Sequence, residues 1–93
     1  MHYLYIIYSK TADKFYVGET YDIQARISKH NEHYYSDSFT KITDDWELVF
    51  SFSCKDENEA VYLEKIIKRM KSKFFIQKVI SDSKILDDIL SKR

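Results

Sequence analysis

Proline is absent from this sequence, and glycine and cysteine occur once each, as Gly18 and Cys54. Without proline and with a single glycine, collagen-like repeats, Pro/Gly-rich linkers and most low-complexity disorder are excluded. Gly-rich phosphate loops and dinucleotide fingerprints are excluded too, because each needs several glycines. Cys54 has no second cysteine to pair with, so no internal disulfide and no cysteine-based zinc site can form. Apolar runs extend only a few residues, too short for a transmembrane helix or a signal-peptide core. A cytoplasmic protein without a membrane partner is expected. The 93 residues suffice for one small domain spanning 1–93.

Net charge is also lacking, since 15 basic residues balance 15 acidic ones. A phosphate-binding domain is usually basic overall, so the total argues against a nucleic-acid partner. The distribution argues otherwise. Residues 37–64 carry two basic and eight acidic side chains, whereas residues 65–80 carry six basic ones (Lys65, Lys68, Arg69, Lys71, Lys73, Lys78) and no acidic one. Neutrality is a cancellation of two adjacent blocks. The basic block is either a solvated helix face or a phosphate-facing surface.

Residues 1–8 are apolar or aromatic on both alternating faces, the pattern of a central strand. A polar turn over Ser9–Lys14 and a second short run, Phe15-Tyr16-Val17-Gly18, complete a hairpin. A turn centred near Thr11 and Ala12 sets Tyr5 opposite Gly18 and Ile7 opposite Tyr16. That register gives Tyr5 and Tyr16 a common face. Asp22 or Thr20 caps a helix to about Asn31, with Ile23 and Ile27 as its apolar stripe. Residues 32–45, with Tyr34, Tyr35 and Phe39, read as a surface loop able to touch a ligand. In the third strand, Trp46, Leu48, Phe50 and Phe52 fall on one face. Asp56-x-x-Glu59 resembles a capping box and opens a helix buried along Ala60, Leu63, Ile67 and Met70. Ser72 caps a further helix, and a last one starts near Ser83. The order β-β-α-β-α-α-α predicts an α+β fold, a small three-stranded antiparallel sheet flanked by helices.

Three features are not required by packing. Arg26 and His30 lie one turn apart on the first helix, about 60° and 20° from Ile23. A guanidinium there suits phosphate, and an imidazole suits proton transfer or a hydrogen bond to a phenol. The structural alternative is an amphipathic edge whose long side chains cover apolar surface. Glu64 falls about 40° from Ala60, within the buried stripe. It is either an i,i+4 partner of Lys68 or a ligand for a hard cation. Finally, eight tyrosines are many for this length. Most serve a strand with an apolar body and a polar tip, but a phenol near a metal or an imidazole can act as a base.

Tyr3-Leu4-Tyr5 and Tyr16-Val17-Gly18, with the key tyrosines eleven positions apart, resemble the paired signature of the GIY-YIG endonuclease family. The resemblance extends through Gly18-Glu19-Thr20, Arg26-x-x-x-His30-Asn31, Trp46-Glu47-Leu48-Val49 and Glu59-Ala60-x-x-Leu63-Glu64-x-x-Ile67-Lys68. It covers roughly residues 2–80 in order and is similar to small stand-alone bacterial members and to the nuclease domain of the excision-repair incision subunit. It departs at Tyr3, where the first half-motif has glycine. The asparagine that often follows the glutamate helix is also missing, and Gln77 is the nearest substitute by type.

The resemblance implies one-metal hydrolysis of DNA phosphodiesters. In that reading Tyr5 helps activate water and Tyr16 orients the water or the phosphate. Arg26 binds phosphate, His30 supports tyrosine deprotonation, and Glu64 holds one Mg²⁺ or Mn²⁺. Gly18 permits close approach of the backbone. Lys68, Arg69, Lys71 and Lys73 extend the phosphate track. Branched or damaged DNA is the expected substrate type, with a protein partner as a possible source of specificity and DNA repair as the setting. The alternatives are a catalytically degenerate nucleic-acid-binding module and a protein-interaction domain using the aromatics of 34–39 or the last helix.

Overall fold

The computed structural model describes residues 1–33 and 39–93. Strands β1 (His2–Ser9), β2 (Lys14–Thr20) and β3 (Glu47–Cys54) form one antiparallel sheet in the order β2-β1-β3. β1 is central, which explains its two apolar faces. Tyr5 and Ile7 pack with Trp46 on one side, against Ile23 and Ile27. Leu4 and Ile6 pack on the other with Val17, Cys54, Ala60, Leu63 and Ile67. Leu4, Tyr5, Ile6 and Ile7 have no exposed surface, and each such aliphatic side chain contributes about 1.5–3 kcal/mol of transfer free energy. The hairpin register is the expected one, with Tyr5 opposite Gly18 and Ile7 opposite Tyr16.

β3 departs from the expected alternation. Ile6 is opposite Phe50 but Ile7 is opposite Leu48, so Val49 is an extra residue in the ladder. This bulge flips the phase of the strand. Phe50 and Phe52 join the Leu4–Ile6 face, while Leu48 falls on the other and is exposed. Trp46, Leu48, Phe50 and Phe52 therefore do not share one face.

The helices begin where the capping residues allow. Asp22 accepts the Ala25 N–H and opens α1 (Ile23–Asn31). Asp56 accepts the Glu59 N–H and opens α2 (Glu57–Met70), while Glu59 returns to the Lys55 N–H. Ser72 accepts the Phe75 N–H and opens α3 (Lys73–Ser81), and α4 (Lys84–Ser91) follows. Ala60, Leu63 and Ile67 are buried as expected, but Met70 is exposed. Its helical angle suits the stripe. It sits in the last turn, which Lys71 ends in the left-handed region at φ 47°.

The last helix is not an open apolar surface. Leu86 is fully buried, and Ile85, Ile89 and Leu90 pack against the same core. No helix among the described residues is long and apolar enough to cross a membrane.

The expected surface loop over 32–45 is only partly that. Tyr34 and Tyr35 lie outside the described residues. A 3-10 turn spans Phe39–Ile42, and Thr40 and Thr43 are buried polar residues. Burial is affordable because their polar groups are used. Thr43 Oγ1 donates to Asp45, and the Trp46 indole N–H donates to the Thr40 carbonyl at 2.8 Å. Asp45 also accepts from the Ser9 and Thr11 hydroxyls and the Thr11 N–H, tying the hairpin turn to the approach to β3. These hydroxyls, Ser9 foremost, hold the Asp45 carboxyl well below the usual carboxylate range.

Candidate active site

The register of the hairpin decides where the two key tyrosines go. Tyr5 and Tyr16 lie on the α1 side of the sheet. Gly18 is directly opposite Tyr5, and a Cβ there would lie 2.4 Å from the phenol oxygen and 2.5 Å from Cζ. The tyrosine ring occupies the space that any side chain at 18 would need. This is the close approach for which glycine is required.

His30, in the last turn of α1, reaches both tyrosines. Its Nε2 is 2.9 Å from Tyr5 Oη, and its ring centroid is 5.0 Å from that of Tyr16, edge to face. Its Nδ1 is 2.7 Å from Thr40 Oγ1. His30 is only 2% exposed, deeper than the core border expected from its helical angle. Burial, with the Arg26 and Lys68 cations adding to it, pushes the imidazole down to about 4. At neutral pH His30 is therefore uncharged, with one ring nitrogen as donor and one as acceptor. α1 is held in place by a two-way clamp, in which Asn31 Nδ2 donates to the Trp46 carbonyl and Trp46 N–H donates to Asn31 Oδ1.

Lys68 and Glu64 approach from α2. Lys68 Nζ lies 4.9 Å from the Tyr16 ring centroid and 2.8 Å from Glu64 Oε2. Lys68 thus touches both a motif tyrosine and the predicted metal ligand. Arg26, half-buried one turn before His30, acts on it electrostatically. Tyr5, His30, Tyr16, Lys68 and Glu64 form one continuous chain, with Arg26 flanking it. Glu64 is not fully buried; its side chain is 20% exposed and ion-paired to Lys68.

Tyr16 opens onto a cleft of about 400 Å³ also lined by Asp13, Lys14, Lys68, Lys71 and Lys73. Three of the four lysines and arginines predicted to bind nucleic acid line it; Arg69, exposed on α2, does not. Lys73 pairs with Asp13 at 3.0 Å. Gln77 does not substitute for the missing asparagine by position. It lies on α3 and lines a different cleft, with Tyr8 and Val49. Two contributors escaped the sequence reading, Thr40 behind His30 and Lys14 at the cleft. A buried threonine in a polar segment leaves no periodic signal, whereas Lys14 opens the strand that carries Tyr16.

Fold and site together define a class. It is a small α+β domain whose hairpin brings two tyrosines to a buried histidine, with an arginine near that histidine and a glutamate ion-paired to a lysine of a basic cleft. The profile of the GIY-YIG catalytic domain matches residues 1–78, and the chain belongs to this family, whose members are endonucleases. The fold is similar to the solution NMR structure of the UPF0213 protein BH0048 from Bacillus halodurans. That likeness has 28% identity and a TM-score of 0.54, covering 86% of this chain and 82% of the other. No curated protein matches the chain at a significant level.

Nucleases of this family generally depend on a divalent metal ion. Glu64 suits such an ion in donor chemistry. A hard cation such as Mg²⁺ keeps several waters and takes one or two carboxylates together with substrate phosphate. The half-buried carboxylate stands beside the cleft residue Lys68. Among the described residues no cluster of three metal-ligating side chains includes Glu64.

Proposed function

We propose that this protein is a metal-dependent endonuclease that hydrolyses DNA phosphodiesters at the Tyr16 cleft. The observation that carries the reading is the continuous chain Tyr5–His30–Tyr16–Lys68–Glu64 beside that cleft. Family membership supports a nucleic-acid substrate.

The roles follow from exposure. Tyr5 has no exposed surface, so the water-activating role expected for it passes to Tyr16, which lines the cleft and takes a proton from the attacking water as it gives its own to the solvent of the cleft. Tyr5 instead holds His30 in position. With its proton on Nδ1 toward Thr40, His30 accepts from Tyr5 at Nε2 and stays neutral beside Tyr16. Arg26 and Lys68 supply fixed positive charge where the phosphate gains negative charge. Glu64 would hold one Mg²⁺ or Mn²⁺, whose chemistry is charge stabilisation on the phosphate and a lowered pKa for bound water. Lys14, Lys71 and Lys73 extend the charge along the strand. Branched or damaged DNA, with repair as the setting, is the substrate type that the sequence resemblance implies.

Purified protein with Mg²⁺ or Mn²⁺ is expected to nick supercoiled plasmid. Glu64→Ala should abolish nicking, and Tyr16→Phe should reduce it by about 10²-fold or more, the scale of general-base catalysis. Equal nicking by the Glu64→Ala protein would assign the activity to a contaminant. One observation favours a second reading: the Glu64–Lys68 ion pair already satisfies one carboxylate oxygen. Salt-sensitive DNA binding without cleavage under either metal would identify a binding module that kept the fold.

A further inference from the structure

We infer that His2, Glu19 and Glu57 form a second cation site, separate from Glu64 and suited to a transition ion of the Zn²⁺ class. The three come from β1, β2 and the first turn of α2. One ligand atom from each lies within 4.8 Å of the other two. His2 and Glu19 occupy the α2-covered face of the sheet, at the end of the hairpin away from the turn. Their side chains are 14% and 21% exposed, and His2 Nε2 contacts Glu19 Oε2 directly. Two ladder strands fix their backbones, so the pair is preorganised and only Glu57, on the exposed side, must settle onto the ion.

The donor set is chemically selective. One imidazole nitrogen and two carboxylates suit Zn²⁺ or Mn²⁺ better than Mg²⁺, which prefers oxygen ligands and its own water. Two carboxylates and a neutral imidazole also balance a divalent charge. The neighbouring acidic groups have other duties: Asp56 caps α2 and Glu59 returns to the Lys55 N–H. Among the described residues the Glu57 side chain makes no hydrogen bond or ion pair, and it is the acidic residue of this turn that joins the His2–Glu19 pair. An ion there would tie the open end of the hairpin to the start of the glutamate helix. It would act on stability, whereas an ion at Glu64 would act on the phosphate.

The test is a Zn²⁺ titration of the full chain by calorimetry, with thermal unfolding read in parallel. The expected result is one saturable site that survives Glu64→Gln and is weakened at least tenfold by His2→Gln and by Glu57→Gln. Zn²⁺ should raise the unfolding temperature of the wild type and the Glu64→Gln protein but not of Glu57→Gln. The surface change Asp87→Asn should alter neither reading. Glu57 is exposed, so its variant keeps the fold and the test does not hang on His2 alone. Absence of saturable Zn²⁺ binding, or binding indifferent to His2→Gln and Glu57→Gln, would overturn the inference. Loss of binding in Glu64→Gln alone would assign the ion to the other site and overturn it equally.

Discussion

Replacing Gly18 with alanine tests the packing that joins the hairpin to His30. The backbone alone favours the change, because glycine inside a strand costs about 0.5–1 kcal/mol relative to alanine. The site opposes it. The new methyl would meet Tyr5 Oη at 2.4 Å, Cζ at 2.5 Å and Cε2 at 2.8 Å, about an ångström inside ordinary contact. Tyr5 is fully enclosed, so its ring cannot swing into solvent. Overpacking of this kind costs about 1–3 kcal/mol. Displacing the phenol also stretches the 2.9 Å contact to His30, at about 0.5–1.5 kcal/mol. The net expectation is a loss of about 1–3 kcal/mol, hence a drop in Tm of very roughly 5–20 °C for a domain of this size. Trp46, the single tryptophan, is buried in the same cluster and reports unfolding by fluorescence. Adding Tyr5→Phe removes the nearest atom but not Cζ or Cε2, so the double variant should recover part of the loss. A Gly18→Ala protein as stable as the wild type, or more so, would refute the reasoning, because the clash with Tyr5 would then cost no more than the backbone gains.

Four further outcomes are expected. His30, held down to about 4 in the fold against about 6.5 unfolded, binds its proton in the unfolded chain first, so stability falls as pH falls between these values. The full interval corresponds to about 3 kcal/mol. Urea midpoints at pH 7 and pH 4.5 should therefore differ more for the wild type than for His30→Asn. Thr40→Val should lower stability by on the order of 1–2 kcal/mol through the lost hydrogen bond to His30, with Thr40→Ser largely restoring it in thermal melts. Asp45→Ala should destabilise the hairpin tie. Because the Asp45 carboxyl titrates well below its usual range, the gap from wild type should stay constant from pH 7 to about pH 4 and shrink only in stronger acid. Lys71→Gly should raise stability by up to about 1 kcal/mol, since glycine is suited to φ 47°, while reducing the salt dependence of DNA binding by about one unit of slope.

What the sequence made legible is what repeats or caps. β1 shows its central position in residues apolar on both faces, and the turn at Thr11 and Ala12 fixes the pairing of Tyr5 with Gly18. Asp22, Asp56 and Ser72 mark helix starts through local hydrogen bonds, which short spacing reveals. The residues proposed for the site were singled out because a family signature orders them, and Tyr5, His30, Tyr16, Lys68 and Glu64 lie in contact one with the next. Apart from the exposed Met70, which the adjacent helix end at Lys71 explains, the missed features are set by partners distant in the chain. The bulge at Val49 is defined only against β1, and Thr40 is buried because His30 and Trp46 claim its hydroxyl and carbonyl. The full enclosure of Tyr5 depends on Trp46 and α1 closing over it, which no local pattern in β1 records.

The bulge at Val49 also bears on how copies of the protein meet each other. β3 is an edge of the sheet, and Leu48 and Val49 beside the phase change are each 39% exposed. A regular edge with exposed aliphatics would offer a template for strand addition by a second copy. The extra residue interrupts the ladder there, so an incoming strand cannot keep one register along the whole edge. A device that re-aims Phe50 toward the core thus also makes this edge a poorer template for strand addition.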